Sequence, residues 1–127
     1  MPARIVFSDD TCVAFLDRRP VFPGHCLLIP KNHYETIEEL PSDLIGLYFS
    51  NVKRLSIAVR KAMEADGIFL GINNRVSQSV PHLHTHVVPR HRGDGLRGFF
   101  WPRQKYDSEA QETEIQEKIK RELAKET

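Results

Sequence analysis

Residues 81 to 90 read Pro81-His82-Leu83-His84-Thr85-His86-Val87-Val88-Pro89-Arg90. Three imidazoles alternate with Leu, Thr and Val, and alternation at period two predicts a strand. Side chains at i, i+2 and i+4 of a strand share one face. Neighbouring histidines would then lie about 6–7 Å apart. Such a row could hold zinc, could perform nucleophilic and acid–base chemistry, or could be a solvated or hydrogen-bonded strand face. Strict spacing between two prolines weighs against the passive reading. The metal reading lacks helpers, because the nearest downstream acid is Asp94. Imidazole attacks phosphorus well and titrates near neutrality. His84 has an imidazole on either side, so flanking donors could bind phosphate oxygens while the central ring attacks.

The rest of the chain must position these rings. Arg4 to Ser8 and Thr11 to Asp17 read as a β-hairpin turning at Asp9-Asp10. Pro20 and Pro23-Gly24 form a rigid connector. His25 to Pro30 is a dense apolar run, the best candidate for a central strand. Thr36-Ile37-Glu38-Glu39 has the capping-box pattern, stopped by Pro41. Ser42 reads as the N-cap of a long helix whose apolar face is Leu44, Tyr48, Val52, Leu55, Val59 and Ala62, ending at Asp66-Gly67. Gly67 to Asn73 is strand-like, and a polar loop, 74–79, leads into the histidines. Ser108-Glu109-Ala110-Gln111 opens a second helix with a narrow stripe of Ile115, Ile119 and Leu123. Hairpin, strand, helix and two strands predict the α+β class, an antiparallel sheet with one long helix on a face. The expected division is a body over 1–106 and a helical tail over 107–127.

At 127 residues the chain suits a single core-forming domain. A net charge of +1 argues against a dominant polyanion, so a nucleic-acid partner is not expected. No apolar run is long enough to span a bilayer, and the N-terminus lacks a signal peptide's apolar core. Cys12 and Cys26 read as small buried hydrophobes, which fits a reducing cytoplasm.

His82-Leu83-His84-Thr85-His86-Val87-Val88 resembles the motif of the histidine triad (HIT) nucleotide-binding family. The segments Pro2 to Phe7, Phe15-Leu16-Asp17, Pro23 to Lys31 and Gln78-Ser79-Val80 resemble family segments in the same order. The resemblance implies a HIT-like fold, a five-stranded antiparallel sheet that usually pairs into a homodimer. It implies a hydrolase or transferase that cleaves purine nucleoside phosphoramidates or dinucleoside polyphosphates and releases a nucleoside monophosphate. His84 would be the nucleophile, transiently nucleotidylated. His82, His86 and His25 would complete the catalytic set. Asp17 would grip the ribose hydroxyls, although a strand-end Asp is usually a turn former, and Phe7, Phe15 and Leu16 could wall the base or equally pack into the core. Asn73, Gln78 and Ser79 would contact phosphate. Trp101 would border the site.

The sequence departs from the family in two places. Its loop before Gln78 is short, only Asn74-Arg75-Val76-Ser77, and Arg75 could replace lost backbone contacts by charge. Relatives with a Cys-x-x-Cys hold zinc with histidines such as His33; this sequence has no Cys-x-x-Cys, so neither a metal nor a cofactor is expected. Trp101-Pro102 resembles the phosphoramidase branch, whereas Pro89-Arg90 with Gly93-Asp94 resembles the dinucleoside polyphosphate hydrolase branch. The basic run Arg90, Arg92, Arg97, Arg103 and Lys105 could bind a polyphosphate leaving group or form a solvated loop. Three rivals stand beside this reading: a zinc hydrolase ligated by His82, His84 and His86, a nucleotide-sensing dimer without turnover, and a DNA-end repair role.

Overall fold

A computed structural model describes residues 3–96 and 103–125. They form two compact units, residues 1–94 and 95–127. The first unit holds strands β1 (Ile5–Ser8), β2 (Cys12–Leu16), β3 (Cys26–Pro30), β4 (Gly67–Gly71) and β5 (Thr85–Arg90), with the long helix α1 (Ser42–Ala62). The five strands make one antiparallel sheet in the order β1-β2-β3-β5-β4. The apolar run after His25 is therefore the middle strand. The second unit contains α2 (Glu109–Lys125). Ser108 Oγ accepts the Gln111 N–H at 3.1 Å, as an N-cap should.

One sheet face is the core. Cys12, Ala14, Cys26, Leu28 and Val87 point toward Tyr48, Val52, Leu55 and Val59 of α1. The hairpin turn is fixed by Asp9, whose Oδ1 accepts the N–H groups of Thr11 and Cys12, both at 2.8 Å. Asn51 Nδ2 of α1 donates to Asp9 Oδ2 at 2.9 Å, tying helix to hairpin. Burial raises the Asp9 pKa, but the hydrogen bonds from Thr11, Asn51 and Cys12 outweigh it and bring it down to about 2.

Several expected boundaries shift for local reasons. The cap of α1 is Pro41, extended at φ −60° and ψ 145°, and Ser42 is already helical. The Thr36 capping box does not form. Its hydroxyl is buried without a partner among the described residues, and Glu39 Oε2 accepts the Glu35 N–H instead. The 3-10 turn Ile37–Glu39 is too short to orient that cap. Helix α1 ends at Ala62, where Glu64, at φ 49°, takes the left-handed position expected of glycine. Gly67 instead opens β4.

The most consequential shift concerns the histidines. β5 starts at Thr85, so His82 and His84 precede the strand. Burial still alternates: Leu83, Thr85 and Val87 are buried, while His82, His84 and His86 are half-exposed. Tyr48 makes that alternation rigid. Its hydroxyl donates to the Leu28 carbonyl at 3.0 Å and meets Thr85 Oγ1 at 2.6 Å. Burial pushes the Tyr48 pKa up to about 12, so it stays a donor.

Candidate active site

The sheet face opposite α1 carries the site. Cα partners Ile5↔Phe15, Phe15↔Leu27, Leu27↔His86 and His86↔Gly71 make one row across all five strands. Directly opposed residues share a face. Phe15 and Leu27 therefore line an apolar floor beside His86. Phe7 does not. Between Ile5 and Phe7 the register slips, so Phe7 opposes Ala14 on the core face. A one-residue slip exchanges the faces of every following side chain. Phe7 instead lies under the Arg54 guanidinium, 5.0 Å from its ring centre. The expectation that Phe7 walls a base is corrected, and Ile5 takes its place on the site face.

Hydrogen bonds set the ring protons. Val21 N–H donates to His25 Nδ1 at 3.0 Å, so the His25 proton sits on Nε2. That N–H donates to His86 Nδ1 at 3.0 Å. The His86 proton is then on Nε2, available to a ligand. His84 Nδ1–H donates to the His82 carbonyl at 2.7 Å, which leaves the His84 Nε2 lone pair free. The His84 and His86 rings are 5.1 Å apart, and those of His25 and His86 are 5.2 Å apart. Burial lowers the pKa of His25, with Asp17 opposing. Burial, then His25 and His84, lower that of His86, again against Asp17. Both rings are neutral at neutral pH.

Asp17 closes the set. Its Oδ1 accepts the Arg19 N–H at 2.9 Å, the turn-forming role, while Oδ2 stands 3.6 Å from His25 Nε2. Asp17, His25 and His86 bring three ligand atoms within 4.8 Å of one another, as a metal would need. The protonation pattern opposes that use, because His25 spends its only lone pair on Val21 and offers an N–H to the centre. The rival set of His82, His84 and His86 meets a further obstacle. His82 turns away, with Nε2 donating to the Pro30 carbonyl at 3.0 Å and Nδ1 3.2 Å from His33 Nδ1. His82 serves His84 through its backbone carbonyl.

The polar residues before the triad are arranged differently. Gln78 spends both ends of its amide on the loop. Its Oε1 accepts the Arg75 N–H at 2.8 Å and its Nε2 donates to the Glu35 carbonyl. Asn73 and Ser79 are exposed. Arg75, at φ 71°, pairs with Glu38 at 3.5 Å. Ser77, at φ 59°, is likewise left-handed. Trp101 lies outside the described residues. Reading the sequence missed Leu27, which only the strand register reveals, and the Tyr48 hydroxyl, whose partner is distant in the chain.

Comparison with known proteins identifies the family. The HIT domain family model matches residues 1–93. A HIT-like protein of Saccharolobus solfataricus is 46% identical over 87 residues, 67% of this chain and 63% of that protein. Adenylylsulfatase HINT3 of Arabidopsis thaliana is 38% identical, over 75% of this chain and 49% of that protein. The asymmetrical bis(5'-nucleosyl)-tetraphosphatase of Schizosaccharomyces pombe is 32% identical, over 72% of this chain and 52% of that protein. These three relatives thus extend well beyond the matched part. A crystal structure of a HIT family member from Bacillus subtilis superposes with a TM-score of 0.84 at 34% identity, covering 95% of this chain and 88% of that one. The chain belongs to the HIT family.

Proposed function

We propose that this protein is a nucleotide hydrolase or transferase working through a nucleotidyl-His84 intermediate. One observation carries the reading: the His84 Nδ1–H is held by the His82 carbonyl, which directs the free Nε2 lone pair outward beside His86. His84 Nε2 attacks the α-phosphorus, and the bond from phosphorus to the leaving group breaks with its electron pair. The neutral His86 Nε2–H hydrogen-bonds a phosphoryl oxygen, and the leaving atom takes its proton from solvent. The Nδ1–H···O=C bond stabilises the positive charge that His84 acquires. Water then attacks phosphorus, its proton passes to solvent, and the N–P electron pair returns to His84 as the nucleoside monophosphate departs. Asp17 is the acceptor for the ribose hydroxyls, and Phe15 with Leu27 forms the base's floor.

The proposed substrates are purine nucleoside phosphoramidates and dinucleoside polyphosphates; the second class is in keeping with the name of the fission-yeast relative, a bis(5'-nucleosyl)-tetraphosphatase. The catalytic domain is taken as residues 1–106, with 107–127 a helical tail. Edge strand β4 with its exposed Leu70 supports pairing into a homodimer, and the two free, buried cysteines suit a reducing cytoplasm. Release of adenosine monophosphate from an adenosine phosphoramidate and from diadenosine tetraphosphate, measured with and without a chelator, tests the reading. Metal-independent turnover of either is expected. Tight binding of the monophosphate with no turnover would leave a nucleotide-sensing dimer.

A further inference from the structure

A second cavity lies on the other side of the sheet. It has a volume of about 330 Å³ and opens between the C-terminal half of α1 and the ends of β1, β2 and β3. Its walls are almost wholly apolar, with Leu16, Cys26, Val59 and Met63 among them. Gly24 shapes one wall: at φ +96° its backbone suits glycine, and a Cβ there would stand 2.5 Å from Met63 Cγ. Among the described residues, Arg54 is the only charged side chain lining the cavity. Its guanidinium rests on Phe7 and has no carboxylate partner among the described residues. The Cys26 thiol is kept protonated by burial and adds no charge.

We infer that this cavity is a second ligand site for a small amphiphile with one anionic head, a soluble medium-chain aliphatic carboxylate, whose chain fills the apolar walls while Arg54 pairs with the carboxylate. The volume lies at the low end for small-molecule pockets, which excludes bulky ring systems. An aliphatic chain gains from apolar burial. A single unpaired guanidinium selects an anion over a neutral or cationic head. The site also has a route to the other face. Leu16 and Cys26 pair across β2 and β3 and line the cavity, whereas their chain neighbours Asp17 and His25 belong to the histidine cluster. An occupant would press on the two strand ends that position those groups.

The test is titration of the whole chain with octanoate, below its micellar range, followed by calorimetry and backbone amide NMR. One saturable site is expected, with shifts centred on Leu16, Gly24, Ala58 and Met63 and no displacement by adenosine monophosphate. Octanol should bind about tenfold more weakly. Arg54→Gln should lower octanoate affinity about tenfold without changing that for octanol. Ala58→Trp, an exposed helix position on the cavity wall, should block both ligands. Non-saturating uptake, or shifts confined to the His84 and His86 face, would overturn the site. Equal octanoate binding by wild type and Arg54→Gln would overturn the anionic head.

Discussion

At the residue scale the site depends on where three protons sit. Val21 N–H fixes the His25 tautomer, His25 fixes that of His86, and the His82 carbonyl fixes that of His84. His25 and His86 have pKa values below the ordinary 6.5, so the working form persists into mild acid. The acid limb of kcat/KM should therefore fall below pH 6.5. Asp17 opposes both shifts, so Asp17→Asn should move that limb to still lower pH. A limb that moves upward in the variant would contradict the arrangement. The residue types at these positions were legible in the sequence. The proton positions were not, because they depend on partners 4 and 61 residues away.

At the element scale, two side chains of α1 lock the sheet. Tyr48 holds the start of β5 against β3, and Asn51 holds the hairpin turn through Asp9. Tyr48→Phe should lower stability by about 1–2 kcal/mol, read from urea unfolding, because it strands a buried carbonyl and hydroxyl. Asp9 has a folded pKa of about 2 against an ordinary 3.8. Its contribution is complete above pH 4 and fades as pH falls toward 2, since the unfolded chain binds the proton first. Asp9→Asn should flatten the stability profile in that window. The helix stripe and strand runs could be read from periodicity. The slip at Phe7 could not, because a bulge carries no apolar signature in Arg4-Ile5-Val6-Phe7-Ser8. The late start of β5 also escaped the pattern. Alternating burial from Leu83 to Val87 continues outside the ladder, held by side-chain and backbone bonds to His82 and His84.

At the scale of the whole molecule, the sheet, α1 and, among the described residues, every buried core residue belong to the first compact unit. A chain ending at residue 106 should unfold cooperatively, with a midpoint in urea close to that of the full chain. Loss of cooperative folding in the truncated chain would show that the tail is part of the domain. The second helix was legible in the sequence because its Ser108 cap and its stripe of Ile115, Ile119 and Leu123 are local signals. Its apolar stripe is thin: Ile119 is 56% and Leu123 61% exposed, too open to form a core of their own.

The central claim is that His84 Nε2 becomes covalently nucleotidylated. Intact-protein mass spectrometry after acid-free quenching during turnover of an adenosine phosphoramidate, with wild type and His84→Ala side by side, addresses it directly. The predicted result is one adenylyl group on His84 of the wild type, none on the variant, and a variant rate lower by about three orders of magnitude or more. Undiminished turnover by His84→Ala, or an adduct on another residue, would contradict the account.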